Sequence, residues 1–321
     1  MRLVVILALL ASISFCDTDY ITCSTGTRDY DNETLFEAAQ GNLSGRGYVI
    51  SNGCSETLNT SQITISGQTN ASATDRLVFK SQTPLGRIIN FTSLYGFETL
   101  TDYTIIQGLK ITLNGGRLCA YTTRTGVLVD GCLCDNKITN GNTYGFGQEG
   151  TGSYTLTVRN TVIITSVVSN NAYPAVYATN SGSKVELQNC TINWKVGFVA
   201  QSTGTTLIAT NTAIKGNTIC LSSTNSPTYT LSKVYTSDAT GTNTNITDGQ
   251  FNFDTDGYSL LPGSVLINAG NDIAGFTNSI NGVTRPSGYW DVGAYELSSG
   301  NPSTGTRCGI LYRMGLAPRS R

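Results

Sequence analysis

Thr104-Ile-Ile-Gln-Gly108-Leu-Lys-Ile111 is the stretch that decides the fold, because the same phrase returns along the chain. In each copy, alternating apolar residues flank one Gly or Asn, as in two short β-strands joined by a tight bend. The later copies are centred on Gly131, Asn160, Asn189 and Asn211, with Lys233 as a degenerate sixth. The steps between centres are 23, 29, 29, 22 and 22 residues, a period that marks a repeat architecture. The sequence therefore predicts an all-β fold, a single-stranded right-handed parallel β-helix or solenoid.

The side chains of the five clear copies sort into columns by strand alternation. Three columns are predicted to point inward: Thr104, Val127, Leu156, Val185 and Leu207; Ile106, Val129, Val158, Leu187 and Ala209; and Ile111, Cys134, Ile163, Ile192 and Ile214. The centre of each copy is predicted to need a left-handed backbone, which Gly tolerates best and Asn next best. The stacked Asn160, Asn189 and Asn211 are expected to form a ladder of side-chain amides.

The sequence divides into three segments. Residues 1–16 read as a signal peptide with an apolar run at Leu3–Ala11. Residues 17–297 are predicted to form the β-helix, with a short N-terminal capping helix at Asn32–Ala39. Residues 298–321 are a linker and a basic tail, predicted to be disordered. The first coils are assigned to the strands Gly47–Ile50, Gln62–Ile65, Arg76–Phe79 and Arg87–Asn90.

Composition narrows the function classes. Only 13% of the residues are charged and the net charge is -1, so the chain lacks the electrostatic footprint of a nucleic-acid-binding or anionic-membrane-binding protein. Histidine is absent, which removes the commonest general base and the commonest metal ligand. After the signal peptide no segment is apolar enough to span a membrane. The sequence therefore predicts a secreted protein or one held at the cell surface.

The chain has nine cysteines, and cleavage after Cys16 would leave an even set suited to an oxidising compartment. Spacing does not reveal their connectivity. Cys132 and Cys190 occupy the same place in the repeat but are two coils apart, about 10 Å. This separation exceeds disulfide reach, so these two are predicted not to pair.

The outward columns supply the candidate catalytic residues Asp130, Arg159 and Glu186. A polysaccharide lyase on this fold would need acids that hold calcium and an Arg or Lys base, and a glycoside hydrolase would need two carboxylates about 5–10 Å apart. Asp130 and Glu186 fall in different columns, two coils apart. The sequence therefore leans away from an enzyme, without excluding one.

Asp254-Thr-Asp256-Gly257 is the one candidate metal site. A D-x-D-G sequence suits calcium, but it is more often only a turn. We therefore predict no cofactor, with calcium at Asp254 and Asp256 as the alternative.

Aromatic residues favour contact with neutral carbohydrate, because sugar faces stack on such rings. The candidates lie in or beside two predicted long loops, Asn136–Tyr154 and Val167–Ser183, which are expected to border one lateral groove; they are Tyr144, Phe146, Tyr154, Tyr173 and Tyr177. The alternative is that these rings only cover the flank of the β-helix. Candidate glycosylation sites are Asn32, Asn42, Asn59, Asn70, Asn90, Asn189 and Asn245, a number that composition alone would produce.

The C-terminal part carries the most specific motif. Pro262-Gly-Ser-Val-Leu-Ile-Asn268-Ala-Gly270 is followed by Arg285-Pro and then Trp290-Asp-Val-Gly-Ala-Tyr295-Glu296. This arrangement resembles the end of β-helix proteins with a choice-of-anchor Q domain. The resemblance implies a β-helix of the pectate-lyase-like superfamily, secreted and surface-associated, usually with no established activity. On the residues themselves, Asp291 is expected to pair with Arg285 while Trp290 and Tyr295 cover the open end of the last coil.

The sequence thus favours a secreted or cell-surface structural or adhesive protein, with carbohydrate or other surface proteins as partners. A polysaccharide lyase or glycoside hydrolase is the first alternative, and a self-assembling extracellular fibre subunit is the second. A lateral groove that holds two or more acids, or an acid and an Arg or Lys, within hydrogen-bonding reach would favour the enzyme. Uncapped coil ends would favour the fibre.

Overall fold

The computed structural model describes residues 18–21, 47–50, 57–60, 63–65, 77–81, 85, 88–92, 96–100, 102–115, 118–138, 143–150, 152–165, 173–222, 224–238, 240–242 and 246–297. The predicted signal peptide, the capping helix at Asn32–Ala39 and the tail 298–321 lie outside these ranges. The same is true of four candidate glycosylation sites, Asn32, Asn42, Asn70 and Asn245.

Twenty strands and one short helix make up the described structure. They are β1 (Thr18–Ile21), β2 (Gly47–Ile50), β3 (Thr57–Thr60), β4 (Ile63–Ile65), β5 (Leu77–Ser81), β6 (Ile88–Phe91), β7 (Phe97–Thr99), β8 (Thr104–Gln107), β9 (Lys110–Leu113), β10 (Leu118–Thr122), β11 (Val127–Asp130), β12 (Leu133–Asn136), β13 (Tyr144–Gln148), β14 (Thr155–Arg159), β15 (Val162–Thr165), β16 (Pro174–Ala178), β17 (Lys184–Gln188), β18 (Thr191–Ala200), β19 (Thr206–Leu221), β20 (Thr228–Thr236) and α1 (Asp248–Phe251).

Strands stack coil on coil into three parallel sheets. The first sheet contains β1, β2, β5, β8, β11, β14, β17 and the N-terminal parts of β19 and β20. The second contains β3, β6, β9, β12, β15 and then parts of β18, β19 and β20. The third contains β4, β7, β10, β13, β16 and the C-terminal parts of β18 and β19. This is a parallel β-helix, and the predicted fold class is confirmed.

The three predicted inward columns form the core. Every member is buried, with Val127 and Leu156 the most exposed at 2%. Fully burying an aliphatic side chain of this size stabilises the fold by about 1.5–3 kcal/mol, so the columns are a large part of the driving force for coiling. The third sheet adds aromatic rings to the same core, including Phe97, Phe146 and Phe198.

The third sheet was not foreseen from the sequence. β13 and β16 lie inside the stretches Asn136–Tyr154 and Val167–Ser183, which were predicted to be long loops. Both strands pair in parallel with their neighbours and are almost entirely buried. These stretches are therefore parts of the coils, and the prediction of two loops bordering a groove is wrong for β13 and β16.

Residues 246–297, here called the C-terminal arm, lie along the coils over the bend between the first and second sheets. The backbone N–H of Gly293 donates to the carbonyl of Asn211 at 2.9 Å, and that of Ala294 donates to Oγ1 of Thr191 at 2.9 Å. Ala294 also packs with Val162 of the second sheet. The arm thus covers the flank of several coils.

The prediction that Trp290 and Tyr295 cover the open end of the last coil is wrong. The Trp290 ring lies 5.7 Å from the ring of Phe276 and 5.5 Å from the Arg285 guanidinium, all within the arm. Tyr295 packs partly against two clusters, one with Val162 and Ile164 of β15 and one that runs from Val292 of the arm to Ala213 and Tyr235. Trp290 thus packs inside the arm, and Tyr295 contacts the flank of the coils.

The bend column has the predicted left-handed backbone. The φ angles are 69° at Gly108, 63° at Gly131, 50° at Asn160, 49° at Asn189, 49° at Asn211 and 54° at Lys233. The degenerate sixth copy at Lys233 is therefore a true bend of the same kind. The conformational free-energy cost of a left-handed backbone is modest at Gly and Asn. It is larger at a residue with a long side chain such as Lys, for which this backbone is uncommon.

The predicted ladder of side-chain amides does not form, because the arm binds two of the three amides. Nδ2 of Asn211 donates to the Asn271 carbonyl at 2.6 Å, and Oδ1 of Asn211 accepts from the Asn271 N–H at 2.8 Å. Oδ1 of Asn160 accepts from Arg285 at 3.4 Å. Asn189, between them, is fully buried, and its amide has no hydrogen-bond partner within the described structure.

Glycine substitution is expected to distinguish the hydrogen-bonded Asn211 from Asn189, whose amide has no hydrogen-bond partner in the described structure. Asn211→Gly should lower the free energy of unfolding by about 1–3 kcal/mol, because the Asn271 backbone loses its hydrogen bonds to both polar atoms of the buried Asn211 side chain. Asn189→Gly should leave it unchanged or raise it by up to about 1 kcal/mol, because it removes two unsatisfied polar atoms at a backbone angle that Gly adopts freely. Denaturant unfolding of both variants measures this contrast, and equal losses would contradict it.

One disulfide crosses the core. Cys119 of the third sheet is bonded to Cys134 of the second, with a Cα–Cα distance of 6.1 Å. Cys132 and Cys190 do not pair with each other, as predicted; both are buried free thiols, and burial raises the pKa of each to about 12. These two thiols therefore stay protonated and inert at neutral pH.

Within the ranges described, no helix has the length and apolar character needed to cross a bilayer.

Candidate functional site

Four outward side chains on successive coils of the first sheet form a polar row, here called the first-sheet ladder. Lys80 pairs in register with Gln107, Gln107 with Asp130, and Asp130 with Arg159. Stacked parallel strands lie about 4.8 Å apart, so neighbouring side chains of such a row are within hydrogen-bonding reach. The repeat therefore places one base, one amide, one acid and one guanidinium in line.

Asp130 and Arg159 form the central pair of the ladder. Nη2 of Arg159 lies 2.6 Å from Oδ2 of Asp130, and its Nε donates to Oδ1 at 3.2 Å. Nε2 of Gln107 donates to the same Oδ2 at 3.2 Å. This two-pronged geometry is the strong form of an ion pair, and it orients both groups. Both oxygens of Asp130 are thus occupied by neighbours in the ladder.

The arm forms the opposite wall of an open groove above this ladder, here called the arm groove. Its volume is about 570 Å³. The wall from the arm is residues 276–280 and Gly282, with the Phe276 ring 4.8 Å from the Arg159 guanidinium. The floor is Lys80, Ser81, Gln107, Gly108, Asp130, Gly131, Arg159 and Asn160. The groove therefore offers amides, hydroxyls, two cationic side chains, one aromatic ring and, among its lining residues, one carboxylate.

The candidate Glu186 lies outside this groove. It is in register with Thr157 and Leu128, one column away from Asp130. Its Oε1 is 2.5 Å from Nζ of Lys184 on the same strand, and its Oε2 accepts from Thr157 at 3.5 Å. The structure thus brings Asp130 and Arg159 together and leaves Glu186 in a separate surface pair.

None of the candidate carbohydrate-binding rings lines the arm groove, and three of them, Tyr144, Phe146 and Tyr177, are on the third sheet. Phe146 is fully buried in the core, so its ring offers no surface to a ligand. Tyr177 is 2% exposed, lies over Gly147 and donates its hydroxyl to Glu149. Tyr144 is half-buried, with its ring centroid 4.8 Å from that of Tyr173 and 4.7 Å from that of Tyr177.

Tyr154, the remaining aromatic candidate, is half-buried beside Gly152. Of the five rings, Tyr144, Tyr154 and Tyr173 keep partial exposure. The one ring that lines the arm groove, Phe276, was not among the candidates. Its neighbours in sequence, Gly275 and Thr277, give no motif that would have marked it.

Asp254 and Asp256 bind their own turn. Oδ1 of Asp254 accepts from the Thr255 N–H at 2.7 Å. Oδ1 of Asp256 accepts from the N–H groups of Tyr258 and Ser259, and its Oδ2 accepts from the Ser259 hydroxyl at 2.5 Å. These contacts are those of an Asx-type turn. In the described part of the chain, no three Cys, Asp or Glu side chains are grouped so as to hold a metal ion.

Arg285 anchors the arm. Its side chain is 0% exposed, and Nη1 lies 2.8 Å from Oε2 of Glu296, whose side chain is 3% exposed. The guanidinium also donates to the carbonyls of Asp291, Gly293 and Ala294. The expected partner, Asp291, instead accepts from the N–H groups of Asn268 and Leu297 with its carboxylate. The predicted Asp291–Arg285 ion pair is thus replaced by Arg285–Glu296.

Burial controls the ionisation of this anchor. It raises the pKa of Glu296 to about 7 and also raises that of Asp291, while backbone N–H donors act in the opposite direction on both. Burial also disfavours the charged form of Arg285 and so lowers its pKa, while the attraction of the Glu296 and Asp291 carboxylates acts to raise it. The anchor holds two acids for one guanidinium, and it fixes the wall of the arm groove.

Three of the candidate glycosylation sites lie in strands or bends of the described coils. Asn189 is fully buried at its bend, so the folded coil leaves no room for a glycan there. Asn90 is half-buried on β6. Asn59 is on β3.

Comparison of the chain with known protein families, with curated proteins and with solved structures finds no match.

Proposed function

We propose that this protein is a secreted or cell-surface structural or adhesive β-helix that binds carbohydrate in the arm groove. The observation that carries the proposal is the groove itself, open along the flank and lined by the first-sheet ladder. Amides, hydroxyls and a guanidinium match the hydroxyl-rich edges of a saccharide, and the half-buried Phe276 ring matches a sugar face.

Three sequence features support the extracellular setting and the family. Residues 1–16 have the character of a signal peptide, and the Cys119–Cys134 disulfide suits an oxidising compartment. The segments Pro262–Gly270 and Arg285–Glu296 support membership of the choice-of-anchor Q group within the pectate-lyase-like superfamily. In that case the two segments are what hold the arm to the coils.

A polysaccharide lyase or glycoside hydrolase is the second candidate, favoured by the Asp130–Arg159 pair inside the groove. An acid within reach of an Arg is one part of the arrangement that such an enzyme would use. Two features weigh toward binding instead. Both oxygens of Asp130 are already engaged, and the groove offers one carboxylate among its lining residues where a hydrolase needs two.

Glycan binding by paired variants tests the proposal. The native protein is screened against neutral and acidic oligosaccharides, and the best ligand is then titrated against Gln107→Ala and Lys80→Ala. Each change removes one or two hydrogen bonds and should weaken binding by about tenfold. Lys184→Ala is the matched control on the same sheet, outside the groove.

The same incubation separates the two candidates. Unsaturated or shortened products, lost in Asp130→Asn, would replace the binding proposal by the enzyme. Binding that is equally weak in Lys184→Ala, or that depends on Tyr144 and Tyr173 rather than on the ladder, would overturn the arm groove as the site.

A further inference from the structure

The coil stack ends at β20, and the turn after it covers only part of that end. Oδ2 of Asp238 accepts from the Cys220 N–H at 2.7 Å, and Oγ1 of Thr240 accepts from the Leu221 N–H at 3.2 Å, which closes the third sheet. Thr242 closes the second sheet, because its N–H donates to the Val234 carbonyl at 3.0 Å and its Oγ1 accepts from the Val234 N–H at 2.8 Å. These side chains act as a partial cap.

The first-sheet part of β20, Thr228–Ser232, is left outside this cap. Its pairing partner among the described strands is β19 alone. The inward residues Tyr229 and Leu231 are only partly buried, although Leu207 and Ala209, one coil earlier in the same columns, are 0% exposed. The core is therefore open at this point and at no other part of β20.

Between Pro227 and Lys233 this edge lacks the usual protection against strand pairing. Sheet edges are commonly blunted by charged residues, Pro or bulges. Thr228-Tyr-Thr-Leu-Ser232 has none of these, and its outward residues Thr228 and Thr230 are exposed. It is thus an uncharged stretch of five strand residues beside an incompletely covered core.

We propose that two copies of this chain pair through this edge, antiparallel about a twofold axis at Thr230, to form a closed dimer. In that register Thr230 faces Thr230 of the second copy, Tyr229 faces Leu231, and Thr228 faces Ser232. Threonine pairs and aromatic–aliphatic pairs are favourable cross-strand neighbours. The Tyr229 and Leu231 side chains of both copies then cover each other's open cores.

The charges along the edge are compatible with this register. Lys233, the first charged residue after the edge, falls opposite Pro227 of the second copy, so no like charges face one another. A twofold contact uses the same surface on both copies and leaves no free edge at the joint, unlike head-to-tail stacking, which grows into a fibre. The proposal is therefore a dimer and not a polymer, and it is independent of the arm groove.

Lysine at the axis tests the register. Thr230→Lys places two positive charges against each other and should raise the dimer dissociation constant about tenfold or more. Thr230→Glu should do the same, and an equimolar mixture of the two variants should recover the dimer, since opposite charges then meet. Thr218→Lys is the matched control, because Thr218 is also an exposed threonine but lies on β19, away from the proposed edge. Sedimentation velocity over a concentration series measures all four.

Other occupants of the edge give distinct results. A native chain that is monomeric throughout the series, but dimerises when residues 298–321 are deleted, would show that its own tail covers the edge and would overturn the dimer. Species larger than a dimer that persist on dilution would show an open polymer and would overturn it too. Failure of the mixed Lys and Glu variants to associate, with both folded by circular dichroism, would overturn the twofold register.

Discussion

Arg285→Ala is expected to lower the free energy of unfolding by about 3–5 kcal/mol. The change removes one partner of a buried ion pair, and Glu296 is left as an uncompensated acid with a 3% exposed side chain. It also removes the donors to three arm carbonyls and to Asn160. Because the guanidinium joins both ends of the segment 285–296 to the bend column, the arm should detach from the coils.

Lys184→Ala is the control for this effect. Lys184 and Glu186 also form an ion pair, but their side chains are 39% and 22% exposed. Such a pair contributes less than about 1 kcal/mol, because water already solvates both charges. Urea unfolding of the two variants gives the comparison, and amide exchange at residues 276–282 reports whether the arm has come loose. A loss of equal size in both variants would show that Arg285 is not the anchor.

The repeat made the core and the bends predictable. The inward columns obey strand alternation, and the bends fall where Gly or Asn accepts a positive φ. Even Lys233 was placed correctly from spacing alone, although its side chain is a poor one for that backbone. Both signals are local, since each depends on residues within one copy.

The third sheet was not predicted because β13 and β16 lack a regular alternation of apolar and polar residues. β13 reads Tyr-Gly-Phe-Gly-Gln and β16 reads Pro-Ala-Val-Tyr-Ala, so small residues interrupt the alternation. Gly147 is small because the Tyr177 ring of the next coil lies over it, a requirement that comes from stacking. A glycine that looks like a turn signal was therefore a packing signal.

The course of the arm depends on contacts between residues far apart in the chain. Asn211 and Asn271 are sixty residues apart, and neither alone indicates the other. Two glycines carried a usable signal. A Cβ on Gly293 would lie 2.6 Å from Oγ1 of Thr191, and one on Gly270 would lie 2.9 Å from the Trp290 carbonyl. These positions need close backbone approach, which indicates a docked segment where an end cap was expected.

The arm groove was half predictable for the same reason. Asp130 and Arg159 share a column of the repeat, so their contact follows from register. Phe276 and the rest of the opposite wall come from the arm, whose path over the first sheet no local pattern reveals. The sequence thus marked two residues of the floor of the site and none of its wall.

Removal of the core disulfide is expected to lower the free energy of unfolding by about 3 kcal/mol, the loop-closure value for a link of this length. The bond joins Cys119 to Cys134 across fifteen positions. Without it the unfolded chain gains freedom between β10 and β12, and the core loses the two sulfur atoms that fill the space between the second and third sheets. The double variant Cys119→Ala/Cys134→Ala, unfolded in urea beside the native protein, measures the loss.

Reductant gives the matched comparison, because it breaks the bond without changing the side chains. Adding it to the native protein should reproduce most of the loss, and adding it to the double variant should change nothing. Cys132→Ala tests specificity, since Cys132 is a buried thiol one residue before β12 and takes no part in the bond. The native stability should remain sensitive to reductant in that variant. A native protein that is indifferent to reductant would mean that Cys119 and Cys134 contribute by packing alone, and that the coils need no covalent link between the two sheets.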